Sequence, residues 1–188
     1  MTAQSKINIE KNTDPATPDL LIEGMCFLAG HFGWNPEELE KEYDIYGSVP
    51  HSICTARVGG HLVGTVWLYE KFGRVGQEHF KVLGIGGVCI HKKYRGQGIA
   101  KELLEMGLAS ELAKSSDFAL LTTELDETGG LYEKVGFVEL KGGYYYTTNI
   151  SNQRNLEKQT MIAQLADVDS FEKVINKEDI LEVDGSSF

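Results

Sequence analysis

No apolar run in this sequence is long enough to cross a bilayer: the longest stretches, such as Val82 to Ile90, fall far short of the roughly 20 residues a spanning helix needs. The opening residues, MTAQSKINIEK, lack the apolar segment of a secretory leader. A soluble cytoplasmic protein with no membrane partner is therefore expected. Cysteine is scarce as well. Cys26, Cys54 and Cys89 are odd in number and widely spaced, with no C-x-x-C and no Cys/His pairing at zinc spacing. That excludes a disulfide framework and offers no metal site, and it leaves three buried free thiols as the expectation. Positive charge is the third shortage: 18 Lys and Arg stand against 28 Asp and Glu, for a net charge of -10 and a pI of about 5.0. A surface that repels phosphates gains nothing from counterion release, so no nucleic acid is expected to bind. Such a surface attracts cations, which favours a cationic small-molecule or peptide substrate.

What is present is ordinary globular material. The chain has 188 residues, 41% of them hydrophobic and 24% charged, without internal repeats or a long low-complexity linker. One domain over residues 1–188 is expected, with its core at about 5–165 and a peripheral helix and tail at 166–188. Ile7 to Glu10 reads as a first strand, and Asn12 to Pro18 as a turn-rich leader. Asp19 to Phe32 has Leu21, Met25, Leu28 and Phe32 at helical spacing. Asn35-Pro36 fits the start of a second short helix reaching about Tyr43. Ser52 to Val58 and Leu62 to Phe72 flank Gly59-Gly60 as a hairpin. Gly73 to His79 reads as a polar loop.

Val82 to His91 follows as a strand interrupted by Gly84, Gly86 and Gly87, a pattern of bulges or of a ligand pressed against the backbone. Ile99, Leu103, Leu104, Leu108 and Leu112 then mark a helix from Gly98 to Lys114, and Phe118 to Glu124 is a compact apolar strand. Strand, helix and strand at this spacing imply a right-handed parallel crossover. A short helix at Gly129 to Lys134 is followed by strands at Phe137 to Leu140, Tyr144 to Thr148 and Gln159 to Leu165. Ser170 to Glu182 reads as a peripheral helix, and the last residues as loose.

The chemistry-bearing stretch is Val88-Cys89-Ile90-His91-Lys92-Lys93-Tyr94-Arg95-Gly96-Gln97-Gly98-Ile99-Ala100, a buried strand passing through a glycine-bearing turn into a helix. The first amides of a helix lack intrahelical acceptors and the helix dipole favours an anion there, so a phosphate site is the natural reading. A simple turn that needs glycine for its φ angles would carry the same residues. A Rossmann fingerprint would need glycine where Lys101 stands, and a P-loop needs G-K-[ST], which is absent.

Arg95-Gly96-Gln97-Gly98-Ile99-Ala100 resembles the R/Q-x-x-G-x-G/A signature of the GNAT superfamily of N-acetyltransferases. Leu131-Tyr132-Glu133-Lys134-Val135-Gly136-Phe137 is similar to that superfamily's L-Y-E-K-x-G-F segment, and the order of elements over residues 5 to 165 agrees. The resemblance implies an α/β (α+β) fold: a mixed central sheet of about six to seven strands, flanking helices, and a parallel pair that splays into a V-shaped gap. It implies acetyl-CoA as cosubstrate and no metal. The backbone of Val88, Cys89 and Ile90 would pair with the pantetheine arm and acetyl carbonyl. The amides of Gly96, Gln97, Gly98, Ile99 and Ala100, with the charge of Arg95, would hold the pyrophosphate.

Transfer from a thioester to an amine needs a neutral amine, a stabilised oxyanion and a proton for the departing thiolate. Tyr132 suits the last role, with packing as the plain alternative. Direct attack is expected, although Cys89 beside His91 is a conceivable nucleophile. Relatives often carry a glutamate on the strand around Gly84 to Gly87, which is absent here. Glu124 is the first substitute base, with His91, Glu70 or a water chain as alternatives. The acceptor would be gripped by the first two helices (His31, Trp34, Glu37, Glu38), the Gly73 to His79 loop and the Tyr144-Tyr145-Tyr146 run. Glu40, Glu42 and Asp44 would bind a cation there or form a solvated face. The tyrosines could instead form a homodimer interface. Some likeness to aminoglycoside 2'-N-acetyltransferases, and a catalytically silent acetyl-CoA-binding module, remain as alternatives.

Overall fold

The computed structural model describes residues 9–33, 35, 49–147, 153–165, 167–176 and 180–185. The expected helix after Asn35-Pro36, with Trp34, Glu37, Glu38, Glu40, Glu42 and Asp44, lies outside them, as do Ile7 and Asn8. Ten described strands form one mixed sheet: β1 (Glu10–Pro15), β2 (Ser52–Val58), β3 (His61–Val75), β4 (Glu78–Ile90), β5 (Phe118–Thr122), β6 (Phe137–Glu139), β7 (Tyr144–Thr147), β8 (Arg154–Glu157), β9 (Thr160–Gln164) and β10 (Leu181–Val183). The helices are α1 (Pro18–Phe32), α2 (Ile99–Leu108), α3 (Glu111–Lys114), α4 (Leu125–Glu133) and α5 (Val168–Asn176). The sheet order is β6-β9-β5-β4-β3-β10-β7-β8, with β2 also on β3 and β1 on β2.

Local signals explain most boundaries. Thr17 caps α1 by accepting from the Leu20 amide, Pro18 and Asp19 occupy its first turn, and Gly33 ends it in the left-handed region with φ 74. Gly59 and Gly60, both at positive φ, close the β2–β3 hairpin. The expected helix from Gly98 to Lys114 is interrupted, because the Ser110 side chain accepts from the Ala113 amide and starts α3 afresh.

Alternation along β3 sends Val66 and Leu68 to one face and Trp67 and Tyr69 to the other. The first face joins Leu83, Ile85, Ala119 and Leu121 beneath Leu103 and Leu104 of α2 and Tyr132 of α4. Burying each such leucine contributes about 1.5–3 kcal/mol. The second face is covered by α1 around Trp67, Tyr69 and Cys89, and by α5 with β7 and β10 around Val82, Phe118 and Leu120.

Several expectations need correction. The sheet exceeds six to seven strands. The Asn12 to Pro18 leader is mostly β1, whose residues pair with β2 as far as Pro15, a proline tolerated because it ends an edge strand. Gly73 to His79 is the tip of one long β3–β4 hairpin, where Val75 pairs with Glu78 across a turn holding Gly76 at φ 62. The peripheral helix stops at Asn176, and Leu181–Val183 becomes a strand inserted between β3 and β7. Glu182 anchors it through ion pairs with Arg74 of β3 and Arg154 of β8. Of the three thiols Cys54 and Cys89 are buried, whereas Cys26 lies on the exposed side of α1.

Candidate functional site

β4 and β5 run parallel and pair from Val82–Phe118 to Ile85–Leu121, and there the pairing ends. β4 continues to Ile90 while still bonded to β3, so its Gly86–Ile90 edge has lost its parallel neighbour. At the end of that edge the chain makes a single 3-10 turn, Lys92–Tyr94, and enters α2 through Gly98 at φ 82, with no side chain capping the helix. Arg95, Gly96, Gln97 and Gly98 are exposed, Ile99 is buried and Ala100 is half-buried. A Cβ on Gly96 would meet nothing within 4 Å. An open strand edge thus leads to uncapped helix amides and an arginine, a geometry suited to a long ligand with an anionic group.

The β3–β4 ladder slips by one residue between Thr65–Cys89 and Trp67–Gly86, which makes a bulge of Gly87 and Val88. Gly87 sits at φ 54, and a Cβ there would stand 2.7 Å from Trp67 Cγ. At the six-membered ring of the same indole, a Cβ on Gly24 of α1 would stand 2.9 Å from Trp67 Cζ2. Two glycines therefore make room for one ring and seat α1 on the bulge. The Thr65 hydroxyl donates to the Gly87 carbonyl at 2.8 Å and fixes the bulge. Among the described residues the buried indole N–H of Trp67 has no hydrogen-bond partner. Trp67, Thr65 and Gly24 went unnoticed in the sequence, where a tryptophan in an apolar strand reads as plain core.

Tyr132 of α4 is buried in the first core, edge-on to Phe137 with ring centroids 6.1 Å apart. Burial pushes its phenol above the usual tyrosine value, partly opposed by a hydrogen bond with Thr123. It stays protonated at neutral pH and can donate. Glu124 is exposed and stands just before α4, two residues past the end of β5, with no capping bond from its side chain. It therefore borders the end at which β4 and β5 part.

Cys89 is buried among Trp67, Tyr69, Ile53 and Leu28, and burial pushes its thiol up to about 12, with Arg95 opposing. His91 is exposed beyond the end of β4, where its Nδ1 accepts from the Lys93 amide. The conceivable Cys-His pair is thus a buried thiol and an exposed ring. Glu70 is held in an ion pair with Lys81 at 2.6 Å, which keeps its carboxyl below the ordinary range. It faces Leu83 across the ladder, well before the strands part.

The elements expected to grip the acceptor divide. Tyr144 is fully buried in the second core, its hydroxyl 3.2 Å from that of Thr122 at the end of β5. Tyr145 lies beneath the Arg154 guanidinium, 3.5 Å from ring centroid to Cζ. The Gly73 to His79 tip is about 25 Å of strand from the bulge and cannot reach it. His31 instead meets Arg95, with 2.5 Å between Nε2 and Nη2. Lys71 shares the Trp67–Tyr69 face of β3 and is buried, and burial pushes its amine down to about 8 against the opposing charge of Asp184. Among the described residues no three His, Cys, Asp or Glu side chains gather into a metal-binding group, and no helix is long and apolar enough to cross a membrane.

Comparison with known proteins places this geometry in context. A family model described as acetyltransferase (GNAT) family matches residues 20–137. N-alpha-acetyltransferase 30 of Saccharomyces cerevisiae is 34% identical over 67 residues, 35% of this chain and 38% of that protein, so the match spans well under half of its length. A GNAT family N-acetyltransferase (YhbS) of Escherichia coli, solved in complex with CoA, superposes with a TM-score of 0.62 at 17% identity, over 98% of this chain and 93% of that one. ElaA of Escherichia coli gives a TM-score of 0.55 at 15% identity, over 84% of this chain and all (100%) of its own. At these identities the structural likeness is one of fold.

Proposed function

The chain belongs to the acetyltransferase (GNAT) family, and from that premise we propose that it transfers the acetyl group of acetyl-CoA to a primary amine by direct attack. The observation that carries this reading is the parting of β4 from β5 after Ile85, directly beside the uncapped, glycine-entered N-terminus of α2. The residues present fit the cosubstrate. The free edge of Val88, Cys89 and Ile90 pairs with the pantetheine arm, and the amides from Gly96 to Ala100 with Arg95 hold the pyrophosphate. When bound, acetyl-CoA supplies an activated acyl group.

The amine nitrogen forms a bond to the thioester carbonyl carbon, the carbon–sulfur bond breaks, and the thiolate leaves with a proton from Tyr132. The product nitrogen loses a proton to Glu124, directly or through water. Glu70 is a poor base because Lys81 already stabilises its charged form. Direct attack is preferred over an acyl-enzyme because the Cys89 thiol, held at about 12, is almost entirely protonated at neutral pH. The name of the yeast relative favours an α-amine as acceptor; the net charge of -10 favours a cationic one, including an aminoglycoside or a polyamine.

A second reading, a silent acetyl-CoA-binding module, draws on the run Gly84-Ile85-Gly86-Gly87, which offers no carboxylate beside the open edge. Release of free CoA thiol from acetyl-CoA, followed over a panel of aminoglycosides, polyamines, amino acids and peptides with free α-amines, separates the two. Turnover that falls sharply in Tyr132→Phe supports the enzyme. Binding of acetyl-CoA without turnover on any amine, unchanged in that variant, supports the module, and absence of binding removes both.

A further inference from the structure

His31 lies in the last turn of α1 and Arg95 in the turn before α2, and the two meet across 64 residues of sequence with Nε2 to Nη2 at 2.5 Å. A guanidinium can only donate, so His31 Nε2 accepts, and the ring is the neutral tautomer with its proton on Nδ1. The same guanidinium donates through Nε to the Ile90 carbonyl at 3.1 Å. Arg95 is exposed, yet these two acceptors fix its plane at the end of β4, where the open edge turns towards the uncapped helix. A long side chain held in this way loses less freedom when an anion arrives.

We propose that His31 is a positioning residue for the cosubstrate: as a neutral acceptor it holds the Arg95 guanidinium towards the pyrophosphate turn, which couples acetyl-CoA affinity to the end of α1 and to pH. The inference rests on the reading of the Gly96–Ala100 turn as the pyrophosphate site. Among the described residues the charged groups facing His31 are Arg95 and His91, both from the segment after β4; on its own helix its neighbour is the uncharged Phe32 ring, edge-on at 5.1 Å. His91 in turn accepts from the Lys93 amide. Burial first, then the charges of Arg95 and His91, hold the His31 ring below the ordinary histidine value. Protonation at acid pH would set donor against donor and cation against cation, and the contact would open.

Calorimetric titration of the full chain between pH 8 and 5.5 tests this, stopping above the pI of about 5.0 to avoid precipitation. The probe is dephospho-CoA, because the 3'-phosphate of CoA itself titrates near pH 6. Affinity of the wild type should fall by about twofold over that range, because a ring held below the ordinary histidine value is only partly protonated at its acid end. His31→Gln, whose amide oxygen accepts at every pH, should match wild type at pH 8 and stay flat. His31→Ala should bind about five- to tenfold more weakly at every pH, with thermal melting to confirm that it folds. Equal or tighter binding by His31→Ala at pH 8, or superimposable pH profiles for wild type and His31→Gln, would overturn the proposal while leaving the site reading intact. Failure of the wild type to bind either CoA or dephospho-CoA would overturn the site reading, and the proposal with it.

Discussion

Replacing Gly87 with alanine makes two demands on the fold at once. The residue sits at φ 54, where a Cβ costs about 1–2 kcal/mol, and that Cβ would stand 2.7, 2.8 and 3.0 Å from Cγ, Cδ1 and Cδ2 of Trp67. Backbone cannot yield there without breaking the Thr65–Gly87 bond, so the indole must shift, at an overpacking cost of about 1–3 kcal/mol. The expected destabilisation is about 2–5 kcal/mol, a fall of roughly 4 to 20 °C in Tm for a chain of this size. Urea and thermal unfolding of Gly87→Ala, Trp67→Leu and the double variant would separate the terms. In the Trp67→Leu background only the backbone cost should remain, leaving a coupling of about 1–3 kcal/mol. Gly24→Ala supplies an internal control of opposite sign. It removes a mid-helix glycine, worth about 1 kcal/mol, yet its Cβ would meet Trp67 Cζ2 at 2.9 Å. It should destabilise the wild type and stabilise Trp67→Leu. A Gly87→Ala cost that is the same in both backgrounds would refute the idea that one ring seats α1 on the bulge.

Tyr132→Phe should lower kcat by about 100-fold or more with little change in KM for acetyl-CoA, because only the donated proton is lost; a fall of less than about threefold in steady-state assays would remove Tyr132 from the mechanism. Since burial raises that phenol, any alkaline loss of kcat that Tyr132 causes should lie above the ordinary tyrosine value and disappear in the variant. Cys89→Ala should keep kcat within about threefold, and intact-mass spectrometry under turnover should detect no acetyl-enzyme; an adduct 42 Da heavier, roughly one acetyl group, that is absent from Cys89→Ala would establish covalent catalysis instead. With the Lys71 amine at about 8 in the folded state and an ordinary lysine value in the unfolded chain, the wild type should gain stability as pH rises from 8 towards about 10.4, and Lys71→Met should not. Chemical unfolding at pH 7, 8.5 and 10 checks both points.

Elements with a local cause were legible before any coordinates. The Leu21, Met25, Leu28 and Phe32 spacing of α1, the Gly59-Gly60 hairpin and the leucine spacing of α2 each carry their own signal within a few residues. β10 does not. Leu181-Glu182-Val183 has the alternation of a strand, but three residues cannot outweigh the helical spacing before them, and their fate is set by partners on β3 and β7 more than thirty residues away. The same applies to Gly73 to His79: glycine, arginine and glutamine read as loop composition, while pairing with the far arm of the hairpin carries the strands to Val75 and Glu78.

At the site, the glycines were readable but their purpose was not. Three in β4 signalled a bulge or a close ligand, yet only Gly87 lies at positive φ, and the close neighbour of its missing Cβ is a tryptophan from β3. The indole closely approaches two glycines 63 residues apart, a relation that no window along the chain contains. This bears on the absent strand carboxylate. The bulge adjoins the Gly84 to Gly87 run, which carries no carboxylate, and the adjoining face is filled by Trp67 and Tyr69, both buried and packed against α1. A carboxylate set among those rings would lose water, at a cost of several kcal/mol unless protonated or paired. In the proposed mechanism, a base at the exposed end of β5, where Glu124 stands in solvent, avoids that desolvation.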